Sequence, residues 1–168
     1  MLLRMLGNLF PENVVVADEK RRKESKRMIA KSRGKDLFKG HLVVLVDSGS
    51  ASASEVFSKV VQLEKRGTVM GDRSAGAVME SRFFDHSLGA DIVVLFGASI
   101  TIADLIMKDG KSLEHIGVQP DKFLLPSALD LANHRDPVLS QAAASLGFEI
   151  SPEVAGQIFA AFEDPRNE

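Results

Sequence analysis

The sequence predicts one α/β domain, and three observations carry that prediction. An unbroken apolar run, Leu42 to Val46, passes through a turn of small residues into a segment with helical apolar spacing at Val56, Val60, Val61 and Leu63. A second short apolar run, Thr68 to Met70, follows and stops at Gly71. Strand, helix, strand in that order is the grammar of a parallel sheet with a right-handed crossover. Finally, 168 residues with 45% apolar content suffice for a single core.

The elements follow in order. Residues 1–10 read as a short helix, and the chain opens on packing residues without a polar lead-in. Val14 to Ala17 is a small strand. Between Asp18 and Lys39 there are ten Lys/Arg against four Asp/Glu, with no aromatic residue before Phe38. This stretch reads as a solvated connector rather than a nucleic-acid surface, although a swapped arm or partner surface is also open. Leu42 to Val46 suits a strand covered on both faces. The helix after the turn is expected over Val56 to Lys65, ended by Lys65-Arg66-Gly67. Ile92 to Phe96 and Ser99 to Ala103 are expected as two strands around Gly97-Ala98. Ser127 with Asp130 has capping-box spacing, Asp136-Pro137 and Ser151-Pro152 mark helix starts, and Gly147 ends the helix between them. This tail reads as structural.

Composition narrows the function classes. A net charge of −2 gives little support to non-specific nucleic-acid binding. With no cysteine, there is no disulfide framework, thiol nucleophile or thiolate metal site. No segment is long and apolar enough to span a bilayer, and the opening residues lack the features of a signal peptide.

The informative run is Asp47-Ser48-Gly49-Ser50-Ala51-Ser52-Ala53-Ser54-Glu55. A buried strand turning directly into a helix exposes a hydroxyl beside free backbone N–H groups. Ser48 lies too near the strand end and Ser54 falls in the first helical turn. Ser50 is harder to dismiss. Ser52 sits where the turn projects its side chain, with the Ala53 N–H and the helix dipole placed for a developing oxyanion. The structural alternative is capping and tight packing by small residues. A serine nucleophile also needs a base. His41 begins the strand whose far end carries the serine, His134 looks exposed, and His86 cannot be placed. His115 follows Glu114, and neighbours in an extended segment face opposite ways. Lys59 lies about two helical turns from Ser52. Arg73 reads best as half of a surface ion pair.

Ser50-Ala51-Ser52-Ala53-Ser54-Glu55 followed by Gly71-Asp72-Arg73-Ser74-Ala75-Gly76 resembles the S41 peptidases, the carboxy-terminal-processing and tricorn-like serine proteases. The resemblance continues through Ile102-Ala103-Asp104, Asp109-Gly110-Lys111-Ser112-Leu113-Glu114 and Gly117-Val118-Gln119-Pro120-Asp121. It implies a crotonase/ClpP-like α/β core, incomplete here, with C-terminal helices. Residues 1–150 would be part of the catalytic domain and 151–168 a helical extension. It implies that Ser52 is the acyl-forming nucleophile, the Ala53 N–H an oxyanion donor and Glu114 the later glutamate of the tricorn-like site. The alternative for Glu114 is a surface carboxylate near Lys111. No cofactor is implied, and the substrate is a polypeptide. Many relatives act outside the cytoplasm, so a periplasmic or secreted parent is one expectation, with no export signal readable here.

Two departures qualify this. Ala77 stands where the processing branch places its lysine, so a Ser-Lys dyad is unavailable and Glu55 loses its usual partner. A salt bridge or support of the helix start remains open for it. The diglycine of the family is missing, since Gly7 is the only glycine before Gly34. The chain therefore reads as the C-terminal part of a serine endopeptidase, completed by a preceding segment or by self-association and nearly inactive alone. Alternatives are a noncatalytic peptide- or ligand-binding domain on the same core, and a small-ester hydrolase without the Gly-x-Ser-x-Gly pattern.

Overall fold

The computed structural model describes residues 1–89 and 93–163. Helix α1 (Leu2–Gly7) leads into a hairpin of β1 (Val14–Arg21) and β2 (Ser25–Ala30). Next come β3 (Val43–Val46), α2 (Ala53–Leu63) and β4 (Thr68–Gly71), then a ribbon of β5 (Glu80–Leu88) and β6 (Val94–Met107). The chain closes with β7 (Lys122–Phe123), α3 (Ala128–Ala132), α4 (Pro137–Ser145) and α5 (Pro152–Glu163).

Two sheets result, an antiparallel one in the order β2-β1-β6-β5 and a parallel one in the order β3-β4-β7. The expected strand–helix–strand unit is present, with Val43 to Val46 running parallel to Thr68 to Gly71. Gly71 ends β4 for a steric reason: its φ is +126°, and a Cβ there would lie 2.0 Å from the Val46 carbonyl oxygen. Asp121 extends the same sheet. Its N–H donates to Val69 C=O, and its Oδ2 accepts the Val69 N–H, both at 2.8 Å. Asp121 Oδ1 also accepts from Gln62 Nε2 at 2.9 Å, which fixes α2 against the strands.

One core holds the parts together. Val56, Val60 and Val61 form the buried stripe of α2 and meet Val46 and Val69 of the parallel sheet. Leu6 of α1, Val16 of β1 and Leu105 and Met107 of β6 complete it. Each buried valine contributes about 1.5 kcal/mol or more relative to exposure. Helix α4 packs on β3 and β4, and α5 packs on α4. The tail begins its helices as expected: Ser127 Oγ accepts from Asp130 N–H, and Asp136 Oδ1 accepts from Leu139 N–H ahead of Pro137. Past α4, Gly147 takes φ +86°.

Three expectations are corrected. Residues 18–40 are not simply a connector, because β1 and β2 pair antiparallel from Val14↔Ala30 to Lys20↔Ser25. The basic residues sit on the exposed positions of this hairpin, where one face is free to be polar. Helix α2 starts at Ala53 rather than Val56, because Glu55 stabilises its first turn. The two strands expected around Gly97-Ala98 are one continuous strand, β6, while Ile92 lies outside the described residues. Gly97 is tolerated because Phe83 packs where its side chain would be; a Cβ would meet the ring at 2.4 Å. Strand β5 had no expectation. Its positions are mostly exposed, so no alternation of buried and polar residues marks it.

Candidate functional site

Ser52 is the N-cap of α2 at φ 57°, ψ −118°, a backbone region costly for any residue with a Cβ. That conformation is held from three directions. Ser52 N–H donates to Ala77 C=O at 2.9 Å and to Glu55 Oε2 at 3.0 Å, and Glu55 N–H donates back to Ser52 C=O. Ser52 and Glu55 form a capping box in which the Ser52 side chain faces the Glu55 N–H without a hydrogen bond of regular geometry. The Ser52 side chain is therefore exposed and uncommitted among the described residues.

Its neighbours differ. Ser50 Oγ donates to Asp47 Oδ1 at 2.8 Å and accepts the Asp47 N–H, while Ser54 Oγ donates to Ala51 C=O at 2.6 Å. Ser48 lies in the exposed turn. Ala53 N–H makes no hydrogen bond among the described residues, and it stands at the positive end of an 11-residue helix.

The segment 74–79 forms the opposite wall, and two carboxylates grip it. Glu55 is fully buried and accepts four donors: Ser52 N–H, Ala77 N–H at 3.0 Å, Gly76 N–H at 2.7 Å and Ser74 Oγ–H at 2.5 Å. It makes no salt bridge among the described residues, so support of the helix start and of this segment is its structural role. Ser74 also accepts the Val118 N–H at 2.6 Å, which ties the Gly117 turn to Glu55. Glu114 Oε2 accepts the Val78 and Met79 N–H groups at 2.7 and 3.0 Å. Those two bonds hold its carboxyl below the usual carboxylate range, against an opposing push from burial and with a smaller pull from His115. Glu114 is itself placed by Ser112, whose Oγ accepts the Glu114 N–H and donates to Asp104 Oδ1 at 2.7 Å.

The structure thus brings Ser52, Ala53 and Glu114 around one segment, with Ser52 on Ala77 and Glu114 on Val78. Glu114 is no mere surface partner of Lys111. Two of the candidate bases, Lys59 and His86, are engaged away from this cluster. Lys59 pairs with Asp109 at 3.3 Å, and His86 stacks on Phe96 in the ribbon. His115 departs from the extended geometry expected of it. It takes φ 60°, its N–H donates to Gly76 C=O at 2.8 Å, and its exposed ring reaches 3.9 Å from Glu114 Oε1. Arg73 makes no ion pair among the described residues; its N–H donates to Asp72 Oδ1. Sequence reasoning on single residues missed Ser74 and Ser112, the two hydroxyl bridges. Their signal was their place inside the Gly71–Gly76 and Asp109–Glu114 blocks.

Comparison with known proteins gives this constellation a context. The model of peptidase family S41 matches residues 2–123. The chloroplastic C-terminal processing peptidase of Tetradesmus obliquus is 34% identical over 133 residues, covering 73% of this chain and 27% of that protein. The carboxyl-terminal-processing protease of Synechocystis is 30% identical over 105 residues, covering 62% and 23% respectively. The chain therefore spans about a quarter of the length of these relatives. Among solved structures, the photosystem II D1 C-terminal processing protease superposes with a TM-score of 0.56 at 24% identity, covering 89% of this chain and 36% of that one. The tricorn protease superposes at 0.58 with 17% identity, covering 84% and 13%. These two likenesses concern the fold, which is mixed α/β in each case. Sequence blocks, fold and family match agree, and the chain belongs to peptidase family S41.

Proposed function

We propose that this chain is the C-terminal part of a serine endopeptidase with a crotonase/ClpP-like core, in which Ser52 is the nucleophile. The observation that carries the reading is the exposed Ser52 hydroxyl, free of local hydrogen bonds, at a strained helix start beside an unbonded Ala53 N–H. Residues 1–150 would supply this part of the catalytic domain and 151–168 a helical extension.

In the proposed reaction Ser52 Oγ attacks a peptide carbonyl carbon and gives its proton to a histidine. Ala53 N–H, aided by the α2 dipole, stabilises the oxyanion. The C–N bond then breaks, the amine leaves with the proton, and water hydrolyses the acyl-enzyme. Glu114 suits the orienting role because Oε2 is filled by backbone donors, while Oε1 makes no hydrogen bond among the described residues and has only the His115 ring at 3.9 Å, so an imidazole N–H could meet it. Ala77 offers no proton acceptor in place of the family's lysine. The histidine and a second oxyanion donor are proposed to come from a preceding segment of the parent protein or from another copy. The expected substrate is a polypeptide, and no residue in this scheme calls for a cofactor.

The second reading, a noncatalytic peptide-binding domain on the same core, is favoured by Ala77. Cleavage of unstructured peptides separates the two. The parent protein is expected to cleave them and its Ser52→Ala form to bind without cleaving; the 168-residue chain alone is expected to show almost no turnover. Binding without cleavage by the parent protein supports the second reading instead.

A further inference from the structure

A cavity of about 490 Å³ opens where β3 and β4 end, between those strands and the C-terminal helices. That is the edge of a parallel sheet at which ligand sites commonly form, and the volume falls within the usual range for them. Its walls are largely aliphatic: Leu45 of β3, Leu124 and Leu125 after β7, Leu131 of α3 and Val138 of α4. Leu45, Leu125 and Leu131 are 39%, 48% and 63% exposed, so their apolar surface is not spent on the core.

The polar groups of the lining are committed in part: each of three carboxylates has one oxygen occupied, and the His134 ring, which also lines the cavity, makes no hydrogen bond among the described residues. Asp47 Oδ1 accepts from Gly49 N–H and Ser50 Oγ–H, Asp72 Oδ1 from Arg73 N–H, and Asp136 Oδ1 from Leu139 N–H. Arg135 is charge-paired with Glu153 at 3.0 Å and Asp130 at 3.5 Å, without a well-aligned hydrogen bond to either. What is left for a ligand is an aliphatic wall beneath a rim with more carboxylates than cations, which disfavours an acidic group.

The cavity is also rigidly connected to Ser52. Ser50 lines it, and Ser50 C=O accepts the Ala75 N–H at 2.9 Å, just as Ser52 N–H donates to Ala77 C=O. The turn that carries Ser52 is thus laced to the 75–77 segment, and it meets the cavity at Asp47 and Ser50. Ser50 and Ser52 are two residues apart, a span of at most about 7 Å.

We propose that this cavity is a specificity subsite that accepts a bulky aliphatic or aromatic side chain of the polypeptide substrate, near the bond presented to Ser52. This rests on the peptidase reading above. The test uses the Ser52→Ala form of the full chain, so that peptides stay intact, and fluorescein-labelled unstructured peptides differing at one position, Leu or Phe against Asp. Fluorescence anisotropy should show the Leu and Phe peptides binding about tenfold tighter than the Asp peptide. Val138→Trp, which fills the cavity, should reduce that preference to less than about threefold. Leu131→Asp, at an exposed position, should do the same and serves if Val138→Trp fails to fold. Equal affinity for all three peptides, or a preference unchanged by either variant, overturns the subsite. Failure of every peptide to bind instead sinks the underlying peptide-recognition reading, and the subsite with it.

Discussion

Two carboxylates hold opposite ends of the same segment, residues 74–79, and they do so differently. Glu55 is fully buried, with both oxygens filled by four donors. Glu114 is half-buried, with Oε2 filled by Val78 and Met79 and Oε1 turned toward the exposed His115 ring. A carboxylate with every acceptor site occupied can only hold structure. One with a free oxygen beside the Ser52 turn can also orient a base. The contrast assigns Glu55 to architecture and leaves Glu114 free for the orienting role proposed for it.

The largest effect should come from breaking the Glu55 side. Glu55→Leu leaves Gly76 N–H, Ala77 N–H and the Ser74 hydroxyl without their acceptor, and a loss of at least about 3 kcal/mol is expected from urea unfolding. Gly117→Ala tests the same side from its far end. Gly117 has φ +71°, and a Cβ would stand 2.4 Å from the Ser74 carbonyl oxygen, so about 2 kcal/mol should be lost.

The Glu114 side should be softer in stability and sharper in pH. Glu114→Gln keeps an acceptor for Val78 and Met79 but not its charge, and should cost about 1 kcal/mol near neutral pH. The folded carboxyl titrates below its ordinary value of 4.5. Its contribution is therefore complete above that value and is lost as pH falls through the lower folded value. The urea midpoint of Glu114→Gln should fall less between about pH 5 and pH 3 than that of the unaltered chain. An equal fall in both proteins contradicts this assignment. Smallest of all, Arg27→Ala removes an exposed partner of Asp18 on the β1–β2 hairpin and should leave the midpoint unchanged.

The same contrast explains what the amino-acid sequence disclosed. Periodicity located β3, α2 and β4 because Val46, Val56, Val60 and Val69 repeat at buried spacings. It did not locate β5, whose residues are mostly exposed, and it took the hairpin beyond Ala17 for a connector because charged residues occupy the solvent side. Ser52 stood out as the candidate from the turn itself, since Ser48 and Ser54 had poorer positions, and the Ser50–Asp47 bond that sets Ser50 apart is visible only in the structure. Glu114 was legible only through the resemblance. Ser74, Ser112 and Asp121 act by bridging backbone groups that are distant in sequence, and no local pattern encodes such a partner. His115 was misjudged because its positive φ breaks the extended geometry from which its direction was inferred.

The central claim is that Ser52 is a nucleophile in place whose base is supplied from elsewhere, and Ala77→Lys tests it most directly. Residue 77 is exposed, and its carbonyl accepts the Ser52 N–H, so a lysine there enters at the turn that needs a base. Reaction with a fluorophosphonate, followed by mass-spectrometric mapping, should place the phosphonyl group on Ser52. The rate should be at least about tenfold above that of the unaltered chain, with no adduct after Ser52→Ala. An adduct on another residue, or no adduct in Ala77→Lys, contradicts the account.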